Sequence, residues 1–154
     1  MKKRMLAFVI SAWILALALM TGCFAGAQGK KPNAPEPPVV EIRDKLFIAQ
    51  VNEIYTNLDE YLDKLIRYEG LFDAFRYEDG GMVYMVIRYG PGCCGNDGNV
   101  GFEVISDEPY PNQDDWVRVE GMLERYEEWG ETYVRLRVSV FEIMEEWGEA
   151  YVDQ

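Results

Sequence analysis

Along residues 132–144 the side chains alternate with a period of two: Val134, Leu136, Val138 and Val140 on one face, Tyr133, Arg135, Arg137 and Ser139 on the other. An extended chain points successive side chains to opposite sides, so this pattern predicts a half-buried strand. Two adjacent apolar residues, Val140 and Phe141, reverse the faces and predict a bulge near Phe141. Further strands are expected over Leu65–Phe75, Met82–Tyr89, Val100–Ile105 and Trp116–Tyr126, with Met82–Tyr89 apolar enough to be buried on both faces. Turn residues separate them at Asp79-Gly80-Gly81, Asn96-Asp97-Gly98 and Trp129-Gly130. Upstream, Leu46–Tyr55 reads as a first strand. Asn57, three positions before Glu60, has the spacing of a capping box and predicts a helical turn ending near Lys64.

Two of these runs share a pattern. Ile66-Arg-Tyr-Glu-Gly70 and Val117-Arg-Val-Glu-Gly121 each alternate and then meet a glycine. Glycine inside a strand marks a bend, which a small closed barrel needs at its corners. Strands of this kind with matching glycine bends resemble an OB-fold barrel, including its tRNA-anticodon-binding-like class. The expected fold is all-β: a small five- to six-stranded OB-like barrel over residues 39–154, with one short helical turn.

Charge and composition limit what such a barrel does. The 154 residues carry 15 Lys+Arg against 27 Asp+Glu, a net charge of −12, and no histidine. Without histidine, Ser-His-Asp and Cys-His catalysis and His-ligated zinc or haem are excluded. The acidity disfavours nucleic acid, the familiar OB-fold ligand, because phosphate binding needs a basic stripe. Asp97-x-Asn99-x-Gly101 is a broken fragment of a calcium loop, and Asp114-Asp115 reads as solvated turn charge. A non-enzymatic role is expected.

The N-terminus has the layout of an export signal. Lys2, Lys3 and Arg4 precede an apolar run from Met5 to Met20, broken by Ser11. Met20-Thr21-Gly22-Cys23 resembles a bacterial lipobox, in which the cysteine is acylated and becomes the new N-terminus. An ordinary signal peptide or an uncleaved anchor are the other readings. Residues 1–22 are thus the expected lipoprotein signal, and loss of their three cations would leave a net charge of −15. Residues 23–38, with Pro32, Pro35, Pro37 and Pro38, are expected to be a stiff tether. The expected location is the extracytoplasmic face of the bacterial cell membrane, held by acyl chains on Cys23 (diacylglycerol and palmitate) rather than by a basic surface.

Cys93 and Cys94 lie in Gly90-Pro-Gly-Cys-Cys-Gly-Asn-Asp-Gly98. Three chemistries fit. Both thiolates with Asp97 can hold a soft metal, Zn or Cu, with Glu103, Asp107 or Glu108 as a fourth ligand. Alternatively the pair forms a vicinal disulfide, strained because neighbouring Cα atoms lie closer than disulfides prefer. The third reading is simple packing of two small side chains. Met85-Val-Ile-Arg88, Cys93-Cys94-x-x-Asp97 and Asp115-Trp-Val-Arg-Val-Glu-Gly121 together resemble the C-terminal domain of a bacterial family of unknown function described as permease subunits. Tyr61, Lys64 and Tyr151 extend the likeness to about 100 residues of the domain. Gly95-Asn96 departs from that family's small residues, and its transmembrane portion is replaced by a signal and tether. The resemblance implies the barrel fold, a metal- or redox-sensitive site, and a stand-alone form working beside a membrane permease.

A second echo is Glu127-Glu-Trp-Gly-Glu-Thr-Tyr-Val134 against Glu145-Glu-Trp-Gly-Glu-Ala-Tyr-Val152, identical at all but one of eight positions. One reading is a favourable hairpin turn used twice. The other is a pair of loops whose Trp129, Tyr133, Trp147 and Tyr151 stack on a glycan or peptide, ligands that OB barrels accept.

Overall fold

The computed structural model describes residues 36–91 and 97–153. Val39–Glu41 forms strand β1, followed by a 3-10 turn at Asp44–Leu46, helix α1 at Phe47–Thr56 and a second 3-10 turn at Leu58–Glu60. Five long strands follow: β2 (Leu65–Arg76), β3 (Met82–Pro91), β4 (Asp97–Ile105), β5 (Trp116–Glu128) and β6 (Glu131–Ile143).

These five close into a barrel. β2 pairs antiparallel with β3, β3 with β4 and β6 with β5, while β4 and β6 run parallel. β5 then returns to β2, its Trp116–Met122 segment opposite Leu71–Leu65. One strand serves two neighbours because it bends: up to Leu71 β2 faces β5, and from Leu71 onward it faces β3. Gly70 sits at the change-over, where a Cβ would stand 2.6 Å from the Ile87 carbonyl oxygen. The glycine bend expected in the first barrel strand therefore has a steric cause. The expected small OB-like barrel is the fold observed, with β1 added in parallel beside Leu65–Arg67 of β2.

Four local expectations need correction. Residues 46–55 are not a strand. Phe47, Val51 and Ile54 repeat at helical spacing and are all buried, so α1 lays one face on the barrel. Phe47 meets Tyr68 of β2 edge-on at 5.8 Å, and Tyr55 stacks on Phe102 of β4 at 5.1 Å. Removing three such side chains from water contributes about 2 kcal/mol each, which outweighs the strand preference of the β-branched residues. Secondly, the turn after Asn57 forms without a capping box: Asn57 makes no side-chain cap and its Nδ2 donates instead to Glu53 Oε1 at 2.7 Å.

Thirdly, the bulge expected near Phe141 centres two residues earlier, on Ser139. Glu120 faces Val140 and Gly121 faces Val138, leaving Ser139 as the extra residue, with its hydroxyl donating to the Glu120 carbonyl at 3.1 Å. Val140 is consequently turned outward and Phe141 inward against the core. Fourthly, the repeated octapeptide is a hairpin only once. Trp129 and Gly130 join β5 to β6 at φ 51° and 83°, the left-handed pair that a two-residue hairpin requires. In the second copy Trp147 stacks on Trp116 at 6.1 Å, and a Cβ on Gly148 would stand 2.7 Å from Trp116 Cζ2. A tertiary contact with a buried ring decides the conformation there, against an almost identical local sequence.

The core is aromatic as well as aliphatic. Tyr68 is buried between Phe47 and Phe102, donates to the Val86 carbonyl at 2.8 Å and accepts the Phe102 N–H at 3.3 Å. Its polar end is satisfied on both counts, as a buried hydroxyl requires. Burial pushes the phenol far above its ordinary pKa and keeps it neutral.

Candidate functional site

The cysteine pair belongs to the connection between β3 and β4. The ladder runs from Met85↔Glu103 to Gly90↔Gly98 and Pro91↔Asp97, so the hairpin is zipped up to the residue before Gly92 and from Asp97 onward. Cys93 and Cys94 lie outside the described residues, as do Cys23 and the tether up to Pro35, and the side chain of Asp97 is likewise outside them.

The base of this hairpin is held from two sides. Tyr89 donates its N–H to the Ala150 carbonyl at 2.8 Å and accepts the Val152 N–H at 2.8 Å, which pins the C-terminal segment alongside β3. Val152 is buried by this contact. From the other side Ile48 of α1 approaches Gly90, where a Cβ would meet its Cδ1 at 3.1 Å. Tyr151 thus sits beside Tyr89 at the foot of the Cys-Cys hairpin.

The four aromatic residues of the repeat separate into two places. Trp147 stacks on Trp116 at the start of β5, and Tyr151 bridges to Tyr89. Trp129 and Tyr133 flank the β5–β6 turn at the other end of that 13-residue strand. There Trp129 meets Tyr77 edge-on at 5.9 Å, and Tyr133 stacks on Tyr126 at 5.6 Å. Tyr77 lies in the β2–β3 turn. The tips of the first and last hairpins of the barrel therefore touch, and below them opens a cleft of about 240 Å³.

The cleft floor is polar and coupled. Tyr126 donates to Glu103 at 2.5 Å, and the Arg135 guanidinium lies 4.5 Å from the Tyr126 ring while its Nε donates to Glu124 at 2.6 Å. Desolvation, followed by the hydrogen bond to Glu103, raises the Tyr126 phenol well above its usual pKa. Nearby, burial and then the Glu103 charge push Tyr55 up to about 12. Both phenols remain neutral donors at physiological pH. Asp79, Glu127 and Glu128 add negative charge at the rim, so one cation faces four carboxylates including Glu103. Such a cleft suits hydrogen-bond donors and cations beneath a stacking face.

A family model for the DUF1980 C-terminal domain matches residues 25–153. The chain belongs to that family. It is an uncharacterised domain family. No curated protein and no solved structure matches the chain.

Among the described residues of this DUF1980 C-terminal domain, no three His, Cys, Asp or Glu side chains gather as a metal site, and no helix is long and apolar enough to cross a membrane. Of the cleft, the sequence points to Trp129 and the neighbouring Tyr133, and to Glu103 only as a candidate fourth ligand for the cysteine pair, whereas here it accepts from Tyr126. Tyr77, Tyr126 and Arg135 carry no such signal, because they come from different strands or turns that only barrel closure brings together.

Proposed function

We propose that this DUF1980 C-terminal domain is a non-enzymatic, extracytoplasmic accessory domain, anchored through lipid on Cys23, whose Cys93-Cys94-x-x-Asp97 element binds Zn or Cu(I) or responds to redox state beside a membrane permease. The supporting observation is the β3–β4 register. Pro91 lies opposite Asp97 in the ladder, so the sequence between them that holds both cysteines is a short one, and the strand ends that flank it are secured by α1 and the C-terminal segment. Soft thiolates with a carboxylate favour these metals over Mg or Ca. Elemental analysis of the purified full chain should find about one Zn or Cu per chain, lost in the Cys93→Ser/Cys94→Ser double variant. Unchanged metal content in that variant defeats the metal form, whereas a mass increase of two hydrogens on reduction identifies the disulfide form. Cys23→Ala should release the protein from the membrane fraction.

The contact between Tyr77 and Trp129 favours a second reading, a glycan- or peptide-binding module. The β2–β3 and β5–β6 turns correspond to the loops with which OB barrels hold oligosaccharides and oligonucleotides. Binding on a glycan or peptide array that persists in the double-serine variant and fails in Trp129→Ala supports it. An array without hits removes it.

A further inference from the structure

A cleft of about 530 Å³ is neither the cysteine hairpin nor the aromatic-tipped cleft. It lies where the segment leading into α1 crosses β2, β3 and β5, and its chemistry runs against the acidity of the chain. Five cations line it, Arg43, Lys45, Arg67, Arg88 and Arg118, against three carboxylates, Glu41, Asp44 and Glu69. Arg67 and Arg118 are already engaged, the former by Glu120 and the latter by Glu69 at 2.7 Å and Glu142 at 2.9 Å. Arg43 and Lys45 are exposed and make no ion pair among the described residues.

Arg88 differs from all of these. Only 1% of its side chain is exposed, and it is the single buried charged residue among those described. Its guanidinium carbon lies 4.7 Å from the Phe47 ring centre and 5.1 Å from that of Trp116. Its Nε donates to the Glu69 carbonyl at 2.7 Å. Two rings and a carbonyl thus fix a planar cation at the wall of the cleft, in an orientation a ligand does not have to organise. Nη1 has no hydrogen-bond partner. The Asp44 carboxylate stands 2.7 Å away and supplies charge, but off the line a hydrogen bond needs. Asp44 itself is 61% exposed on a three-residue 3-10 turn that has no side-chain cap. It is a carboxylate of the chain's own, largely exposed, at the position where a ligand's carboxylate would be bound.

We infer that this cleft is a binding site for a small organic carboxylate, which displaces Asp44 from Arg88 Nη1 and is steadied by Arg43 and Lys45. Ile42 and Leu46 give the cleft an apolar wall, which suits an organic acid better than an inorganic anion. The inference is independent of the metal and glycan readings, since it uses neither the cysteines nor Trp129.

The test is thermal unfolding of the full chain in detergent with sodium succinate, compared with sodium phosphate and with sodium chloride at matched ionic strength. Binding to the folded state raises the melting temperature in step with ligand concentration. Succinate should raise it for the wild type. Asp44→Asn should start lower and gain more, with half-saturation at several-fold less succinate, because the competing carboxylate is gone. Arg43→Gln/Lys45→Gln, changed only at exposed positions, should lose most of the gain. Equal shifts in all three proteins, or none, overturn the inference, as does a smaller gain in Asp44→Asn than in the wild type. Stabilisation by phosphate without succinate overturns the carboxylate assignment.

Discussion

Tyr68 illustrates how much one buried hydroxyl can hold. It both donates to Val86 and accepts from Phe102, so it joins β3 and β4 through the middle of the barrel. Tyr68→Phe keeps the ring but leaves a buried N–H and a buried carbonyl short of a partner. A loss of about 1–3 kcal/mol is expected in chemical denaturation. Glu124 makes the complementary case at the surface. It accepts from Arg135 at 2.6 Å and from Arg137 at 2.7 Å, and these bonds, that of Arg137 foremost, hold its carboxyl below the ordinary value of 4.5. A lowered native pKa adds stability that is complete above the ordinary value and fades as pH falls through the native one. Glu124→Gln should therefore cost up to about 1 kcal/mol at neutral pH. Its unfolding curve should converge with that of the wild type as the pH drops below 4.5. A constant gap down to low pH would refute the linkage.

Elements show how local pattern and tertiary contact divide the work. The two glycines of the repeated octapeptide should fail differently. Gly130→Ala forces a side chain into φ 83° with open space around it, a backbone cost of about 1 kcal/mol that leaves the core untouched. Gly148→Ala drives a methyl into the Trp116 ring, so its loss should come with an altered near-UV circular dichroism signal, which Gly130→Ala lacks. The same division explains what could be read in advance. All five barrel strands were legible, because alternation, or for Met82–Tyr89 an unbroken apolar run between turn residues, is a local signal. Helix α1 was not, since Ile48 and Tyr55 blur the spacing of Phe47, Val51 and Ile54. β1, with three residues, is too short to show any period. The cysteine hairpin was visible as a motif. Arg88 was visible only as a letter within one, for nothing in its neighbours signals that Phe47 and Trp116 will enclose it.

At the scale of the whole molecule, the barrel relies on segments outside it. The C-terminal stretch buries Val152, makes both backbone bonds to Tyr89 and sets Trp147 over Trp116. Truncation after Met144 should cost about 3–4 kcal/mol from one buried valine and two hydrogen bonds, read as a lower melting temperature. An unchanged melting temperature would mean the segment is ornamental. Closure of β5 onto β2 leaves few open strand edges. Each of the five long strands has a neighbour on both sides, and β1, three residues long, is the one described strand with a single neighbour. β4 meets β6 only over Glu103–Ile105, so that seam and β1 are the places where a further strand could pair.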